Sequence, residues 1–214
     1  MLLGLNWLGM RGASGPSRWL LIGLGLGFLA GVIALASLLF LAKGGEPPLH
    51  DLTTSPLVLD RHGRLLRAFT VADGRWRLPV TLAEVDPLFI RMLLACEDRR
   101  FYDHAGVDVL ALGRAALQCA ANGRIVSGAS TLTMQLARLL DGQPTRGLVG
   151  KTRQMITALA LERQLDKAAI LERYLLLAPY GGNLEGVRAA TLAWFGKEPG
   201  RLTGSSWRKV PAAT

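Results

Sequence analysis

Hydrophobic residues follow three successive patterns along the chain: one long apolar run, a short stretch of alternation, and a long region with helical spacing. The apolar run covers residues 19–42, which are 24 residues without a charge. As a helix it would measure about 36 Å, enough to cross the hydrocarbon core of a bilayer. The pattern predicts one transmembrane helix after a tail of residues 1–18. A cleaved signal peptide is the alternative, but the run is longer than a typical signal-peptide core.

A short β element is predicted after this run. Residues 43–48 (KGGEPP) are rich in glycine and proline and are typical of a linker. The segment SPLVLDRHGRLLRAF, residues 55–69, reads as two short strands joined by a turn at 60–63. Residues 43–80 are therefore interpreted as a linker and a small β element.

From Thr81 onward apolar residues recur at intervals of three and four, which predicts helices. Thr81 and Glu84 have the spacing of a capping box. The first helical face is formed by Val85, Leu88, Phe89, Met92, Leu93 and Cys96. Further helices are expected at about 107–121, 130–140, 147–165, 167–177 and 184–195. The pattern predicts a mainly α-helical domain over residues 81–203, followed by a tail, 204–214, without helical periodicity.

The charge balance indicates an anionic partner. Lys and Arg number 25 against 16 Asp and Glu, a formal net charge of +9. Arg11 and Arg18 precede the apolar run, whereas Lys43 is soon followed by Glu46, so the N-terminus is expected in the cytoplasm and the remainder outside. Aromatic residues make up only 7% and no zinc-finger spacing occurs, which argues against nucleic acid as the partner.

Glu97 is the first candidate for acid–base chemistry. It lies at the end of a strongly apolar helix and is followed by Arg99 and Arg100. The apolar surroundings disfavour its ionised form and the arginines favour it, which suits a general acid or base. An ordinary helix-terminal carboxylate paired with an arginine is the alternative, and spacing alone favours it. The same pattern makes Asp98 a structural acceptor of backbone N–H groups and His104 a hydrogen-bonded turn residue.

Hydroxyl residues that open an amphipathic helix form a second candidate site. Ser130 and Thr131 stand where a helix N-terminus offers N–H groups to an anion. Thr131, Gln135 and Arg138 can share one face of that helix. A plain N-cap is an equally good interpretation. The positive charges that follow, among them Lys151, are more often a solvated face than a phosphate clamp.

Three motifs occur in order and together resemble a known family. They are Glu97-Asp98-x-x-Phe101-x-x-His104-x-Gly106, Gly128-x-Ser130-Thr131-Leu132-Thr133-x-Gln135-Leu136 and Lys167-x-x-Ile170-Leu171-Glu172-x-Tyr174-Leu175. This set is similar to the family 51 peptidoglycan glycosyltransferases, the glycosyltransferase domains of class A penicillin-binding proteins, over about residues 50–203. The resemblance implies a lysozyme-like helical fold that polymerises lipid II outside the cytoplasmic membrane and releases undecaprenyl diphosphate.

The resemblance also implies roles for single residues. Glu97 matches the catalytic base. The positions matching substrate-binding residues are Asp98, Ser130, Thr131, Gln135, Arg138, Lys151 and Gln154. Gln154 departs from the pattern, since the family has a glutamate there. No metal ligands are predicted and no cofactor is assigned, although a divalent cation such as magnesium assists relatives.

The family further implies a location and partners. A single-pass protein of the bacterial inner membrane is expected, with the C-terminal domain in the periplasm. Its partners would be lipid II, the growing glycan chain, the membrane and other cell-wall synthesis proteins, and not nucleic acid.

Two other functions remain open at this point. After residue 203 the chain reads GSSWRKVPAAT, where the family continues with a further helix and class A proteins add a transpeptidase domain. This predicts a truncated glycosyltransferase domain, and the alternative function is a non-catalytic, membrane-anchored remnant that binds lipid-linked precursors or cell-wall partners. A muramidase-like hydrolase is the third hypothesis, because fold does not fix the direction of a reaction.

Overall fold

The computed structural model describes residues 23, 25, 27, 29–31, 33, 34, 52–122, 130–142, 147–202 and 204–207. They form a mainly α-helical protein with a few short strands, as the sequence predicts. The chain divides into two compact units, one of residues 1–35 and 109–129, the other of residues 36–108 and 130–214.

The strands are β1 (Leu57–Leu59), β2 (Leu65–Ala68), β3 (Trp76–Arg77) and β4 (Leu184–Glu185). The α-helices are α1 (Pro87–Glu97), α2 (Val109–Asn122), α3 (Leu132–Asp141), α4 (Gly147–Gln164), α5 (Lys167–Leu177), α6 (Val187–Phe195) and α7 (Gly204–Trp207). Short 3₁₀ turns occur at Leu82–Glu84, Phe101–Asp103 and Pro199–Arg201.

The first unit contains α2 and the helical positions between residues 23 and 34. Within the part of the chain that the structure describes, no helix has the length and apolar character that a membrane crossing requires. Most of the predicted transmembrane segment, residues 19–42, lies outside the described residues, as does all of the predicted tail, 1–18.

The second unit begins with the predicted β-hairpin, which is confirmed. Strands β1 and β2 pair antiparallel. The turn between them is held by Asp60, whose Oδ1 accepts hydrogen bonds from the backbone nitrogens of His62 and Arg64, both at 2.8 Å. Gly63 completes the turn with a φ of +75°, a conformation that glycine adopts without strain.

A second pair of strands was not predicted. Strands β3 and β4 pair in parallel although they are only two residues long and far apart in sequence. Their pairing is reinforced by the buried Glu185 carboxylate, which accepts a hydrogen bond from Arg77 Nε at 2.7 Å and another from Arg75. Two-residue strands have too few positions for an alternating pattern, so the sequence does not reveal them.

Helix α1 begins later than the sequence suggests. The capping box of Thr81 and Glu84 exists, but it caps the 3₁₀ turn Leu82–Glu84. Helix α1 itself starts at Pro87, capped by Asp86, whose side chain accepts from the backbone nitrogen of Leu88 at 2.8 Å. Proline suits the first position of a helix, because the N–H that it lacks would have no partner there. Cys96, predicted on the apolar face, is exposed.

The core of the second unit is built around α3, which packs against α4 and α5. The fully buried side chains include Phe101, Leu132, Leu136, Leu161, Ile170, Leu171, Leu175 and Val187. The expectation that the segment after residue 203 is not helical is wrong for Gly204–Trp207, which form α7 and contact α1. The remaining tail, 208–214, lies outside the described residues.

Candidate active site

Three elements of the second unit contribute a chain of polar side chains. Glu97 is the last residue of α1, Gln135 lies in the first half of α3, and Tyr174 lies in α5. Gln135 Nε2 donates a hydrogen bond to Glu97 Oε2 at 3.0 Å, and the Tyr174 hydroxyl donates to Gln135 Oε1 at 3.1 Å. Tyr174 is the buried end of this chain and the Glu97 carboxylate is the half-buried end, so Glu97 remains within reach of a substrate.

The turn after Glu97 is fixed by a buried carboxylate. Asp98 is only 6% exposed, and its Oδ2 accepts from the backbone nitrogen of Leu132 at 2.9 Å. His104 Nε2 lies 3.0 and 3.1 Å from the two carboxylate oxygens. Because His104 Nδ1 accepts from the backbone nitrogen of Gly106 at 3.2 Å, the proton of a neutral ring lies on Nε2 and is donated to Asp98. The prediction that His104 is a hydrogen-bonded turn residue is confirmed.

Thr131 is the N-cap of α3. Its side chain accepts from the backbone nitrogen of Met134 at 3.1 Å, and its hydroxyl donates to the carbonyl of Gly106 at 2.5 Å. The residue is 2% exposed. The hydroxyl thus donates one hydrogen bond and accepts one inside the protein, which is the arrangement of an N-cap.

Lys151 on α4 and Arg138 in the last turn of α3 form a basic pair. Lys151 Nζ, on α4, donates a hydrogen bond to Ser130 Oγ. Burial and the positive charge of Arg138 lower the pKa of the Lys151 ammonium. Arg138 is exposed, whereas Lys151 and Ser130 are half-buried. Two cations that repel each other and one hydroxyl form a natural site for an anion, because a bound anion relieves the repulsion.

Arg138 of this basic pair also interacts electrostatically with the polar chain of Glu97. Burial and the negative charge of Glu97 raise the pKa of Tyr174, whereas Arg138 acts in the opposite direction. Burial raises the pKa of Tyr180 as well, with further contributions from Tyr174 and Glu97. Both phenols therefore stay protonated at neutral pH. Among the residues that the structure describes, the buried Tyr180 hydroxyl has no hydrogen-bond partner.

The structure separates the predicted site residues into two groups. The first group has exposed or half-buried side chains, namely Glu97, Ser130, Gln135, Arg138 and Lys151. The second group is buried, namely Asp98, Thr131 and Gln154, which is 9% exposed. A direct contact with substrate, as the resemblance implied for these three, does not fit their burial. The physical interpretation of Asp98 as a structural acceptor fits, although its N–H partner belongs to the following helix rather than to the turn.

Sequence reasoning assigned no role in the site to Tyr174, Tyr180 and Lys167, although Lys167 and Tyr174 belong to the third motif of the resemblance. Both tyrosines lie in largely apolar segments, where an aromatic residue is expected to belong to the core. Lys167 is one of the positive charges that the sequence alone would place on a solvated face. Instead its Nζ donates to Glu162 Oε1 at 2.7 Å and to the carbonyl of His104 at 2.6 Å. It therefore anchors the turn after Glu97 to the beginning of α5.

The residues present do not fit a resident divalent cation. Within the described parts of the chain, no group of three or more His, Cys, Asp and Glu side chains is placed as metal ligands. Near the basic pair the side chains are a lysine, an arginine and a hydroxyl, which are donors for anions rather than ligands for Mg²⁺.

Comparison with known proteins identifies the class. The family model described as transglycosylase matches residues 62–207, more than half of the chain. The chain belongs to the transglycosylase family, and the resemblance to the glycosyltransferase domains of class A penicillin-binding proteins is confirmed.

Individual relatives support the same family assignment. The chain is 46% identical to penicillin-binding protein 1C of Escherichia coli over 171 residues, 78% of this chain and 22% of that protein. It is 41% identical to penicillin-binding protein 1A of the same organism over 166 residues, 74% of this chain and 19% of the relative. Penicillin-binding protein 1F of Bacillus subtilis is 33% identical over 152 residues, 71% of this chain and 21% of the relative. The chain thus spans about a fifth of the length of the curated relatives that it matches.

Proposed function

We propose that this chain is a peptidoglycan glycosyltransferase that polymerises lipid II into glycan strands and releases undecaprenyl diphosphate. Membership of the transglycosylase family carries the proposal. The geometry supports it, because the half-buried Glu97 carboxylate and Arg138 of the basic pair both act electrostatically on the buried Tyr174. Lys151, the other member of the pair, donates to Ser130.

Glu97 is the catalytic base in this proposal. Its carboxylate takes the proton from a hydroxyl of the acceptor sugar, and the resulting oxygen forms the new bond to the anomeric carbon of the donor. The bond between that carbon and the diphosphate oxygen breaks at the same time, and the configuration at the anomeric carbon is inverted. The electron pair leaves with the diphosphate, and the proton stays on Glu97 until water removes it.

Lys151, Arg138 and Ser130 hold the leaving group. Negative charge grows on the diphosphate oxygen as its bond to carbon breaks, and preorganised cations stabilise that charge best where water is partly excluded. Lys151 is half-buried and its pKa is lowered by burial and by Arg138. A bound anion would offset both effects, so its charged ammonium is stabilised by the diphosphate. Gln135 contributes from the Glu97 side of the site, through the amide that contacts the carboxylate.

Asp98, Thr131 and Gln154 support the site from inside. Asp98 and Thr131 join the turn after Glu97 to the start of α3 through hydrogen bonds to Leu132 and Gly106. Gln154 lies buried on α4, the helix that also carries Lys151. A glutamine in place of the family's glutamate cannot supply a second negative charge, so Glu97 is the carboxylate on which the proposed reaction depends.

The setting of the reaction follows from the substrate. A lipid-linked diphosphate requires a site near a bilayer, and the apolar segment 19–42 would provide the anchor. The domain would then act in the periplasm of a bacterium, tethered to the inner membrane. Its proposed partners are lipid II, the growing glycan, the membrane and other cell-wall synthesis proteins, with no part for nucleic acid.

The test is lipid II consumption by the full chain in nanodiscs, followed by electrophoresis of the glycan products. Glu97→Gln is expected to lower kcat by at least about 100-fold, the usual contribution of a general base, while helicity stays unchanged. The matched control is Asp73→Asn, which alters an exposed carboxylate in the loop before β3 and is expected to retain activity.

The outcomes separate the candidate functions. Equal activity in Glu97→Gln would remove this residue from the mechanism. A folded wild-type chain that binds lipid II but forms no polymer would favour the non-catalytic remnant. Release of soluble muropeptides from sacculi would indicate a hydrolase instead.

A further inference from the structure

We infer that Tyr174 and Gln135 form a hydrogen-bond relay that positions the Glu97 carboxylate. This inference rests on the proposed role of Glu97 as the base and assigns two positioning residues to it. The relay runs in one direction, from the Tyr174 hydroxyl to Gln135 Oε1, and from Gln135 Nε2 to Glu97 Oε2, over distances of 3.1 and 3.0 Å.

The direction of the relay determines which end of the Gln135 amide faces the carboxylate. A carboxylate is an acceptor only, so it requires the NH₂ group and is repelled by the amide oxygen. A hydroxyl that donates to Oε1 selects that same orientation. Tyr174 therefore acts on Glu97 through Gln135, without touching the carboxylate itself.

The Tyr174 hydroxyl is not needed for packing. The residue is 1% exposed in the core between α3 and α5, where a phenylalanine would occupy almost the same volume. A buried hydroxyl costs free energy unless it is hydrogen bonded. Its partner here is the Gln135 amide, which contacts the proposed base. The hydroxyl is therefore placed where it can orient that amide.

The direction of the relay does not change near neutral pH. Burial raises the pKa of Tyr174 and of Tyr180, so both phenols stay protonated and Tyr174 remains a donor. Without the Tyr174 hydroxyl, the Gln135 amide loses the donor that selects its orientation. Without the Gln135 amide, Glu97 Oε2 loses the hydrogen bond that it accepts. Loss of either group is therefore expected to change the position of the Glu97 carboxylate.

The experiment follows the Glu97 side-chain carboxyl carbon by NMR at constant pH, in the full chain labelled with ¹³C-glutamate and held in detergent micelles. The resonance is assigned by its loss in Glu97→Gln. Gln135→Leu and Tyr174→Phe are each expected to move this resonance, because each changes the hydrogen bond that the carboxylate accepts. In polymerisation both variants should lower kcat by about 10-fold with KM nearly unchanged, because a base held out of position loses its effect mainly in the transition state.

Two variants serve as controls. Tyr102→Phe removes an exposed hydroxyl and should leave the Glu97 resonance and kcat unchanged. Tyr180→Phe removes a buried hydroxyl that makes no hydrogen bond within the described residues, and should move the resonance less than Tyr174→Phe does. Thermal melts identify any variant that does not fold, and Gln135→Leu tests the relay without altering the core tyrosine.

The results discriminate between the relay and simpler explanations. An unchanged Glu97 resonance in folded Gln135→Leu and Tyr174→Phe would overturn the inference. Equal changes of the resonance in Tyr174→Phe and Tyr180→Phe would overturn it as well, because a general effect of buried hydroxyls would then suffice. If wild type forms no polymer, the proposed function fails, yet the NMR comparison still decides whether the relay exists.

Discussion

The carboxylate of Asp98 accepts a hydrogen bond at 2.9 Å from the backbone nitrogen of Leu132, 34 positions further along the chain. Leu132 is the first residue of α3, where the helix dipole favours a negative charge. The same carboxylate also receives the imidazole of His104. The residue that follows Glu97 is thereby attached to the helix that carries Gln135, so a single buried carboxylate sets the spacing between the proposed base and its hydrogen-bond partner.

Asp98→Asn should therefore destabilise the protein. The amide keeps the size of the side chain but loses the charge at the helix N-terminus and one of the acceptors shared by Leu132 and His104. A loss of about 1 to 3 kcal/mol in the free energy of unfolding is expected, measured by urea denaturation of the full chain in detergent. Asp103→Asn, an exposed carboxylate in the same turn, should change it by less than about 0.5 kcal/mol. Equal stability of the two variants would show that Asp98 does not hold the turn.

Tyr180→Phe should leave the protein at least as stable as wild type. The hydroxyl is buried and has no hydrogen-bond partner among the described residues, so its removal relieves a desolvation cost. The expected gain is about 1 kcal/mol in the free energy of unfolding, read from urea denaturation. A loss of more than about 1 kcal/mol would indicate that this hydroxyl is bonded in solution, for instance to a buried water.

Alkaline conditions should destabilise the protein through its buried phenols. Burial raises the pKa of Tyr174 and of Tyr180 above the ordinary value of 10.0. Above about pH 10 the unfolded chain loses these two protons while the folded chain retains them, so unfolding becomes more favourable as pH rises. The stabilisation is complete below pH 10 and is lost progressively above it.

The measurement is Tm between pH 8.5 and 11. Tyr174→Phe and Tyr180→Phe should each reduce the decline of Tm with pH, because each removes one linked proton. Tyr102→Phe is the control, since its exposed phenol has a similar environment in both states. A decline that is identical in all four proteins would refute the assignment of the alkaline effect to the buried tyrosines.

The sequence predicts the helices of this fold well and the site only in part. Repeated apolar spacing places α3, α4 and α5 within two residues of their observed bounds, because each has several turns over which the pattern accumulates. Asp86 and Thr81 are both suitable N-caps for α1. Only the tertiary structure shows that the Thr81 capping box belongs to a separate 3₁₀ turn. Local chemistry alone does not decide between two good caps.

The site depends on contacts between residues that are distant in sequence. Glu97 could be proposed from its position at the end of an apolar helix, but its partner Gln135 is 38 positions away, and Tyr174 lies 39 positions beyond that. Spacing cannot show which side chains point inward, so Thr131 and Asp98 look as accessible as Ser130. Burial, which separates them, is a property of the folded chain.

Glycine at position 186 should be essential for the fold. Its φ is +83°, and a Cβ there would lie 2.6 Å from the carbonyl oxygen of Leu176, a backbone atom that cannot move aside. Gly186→Ala is expected to cost more than about 3 kcal/mol in the free energy of unfolding. Gly63→Ala is the matched comparison, because φ is +75° but the space is open, and a cost of about 1 to 2 kcal/mol is expected. Similar urea midpoints for the two variants would contradict the steric argument.

Lys151→Met should lower kcat/KM for lipid II without lowering Tm. Burial and the charge of Arg138 lower the pKa of Lys151, so the folded protein holds this cation at a cost, and the ammonium donates to the neutral hydroxyl of Ser130. Methionine keeps the length of the side chain without the charge, so Tm should stay the same or rise. If the ammonium stabilises the departing diphosphate, kcat/KM for lipid II should fall by about 100-fold or more, as for other preorganised donors at a developing negative charge. Lys151→Arg retains the charge and should recover part of the activity. If Lys151→Met instead lowers Tm and leaves kcat/KM unchanged, Lys151 is a structural residue. A large loss of kcat/KM at unchanged Tm is expected only for a group that contacts the reacting substrate.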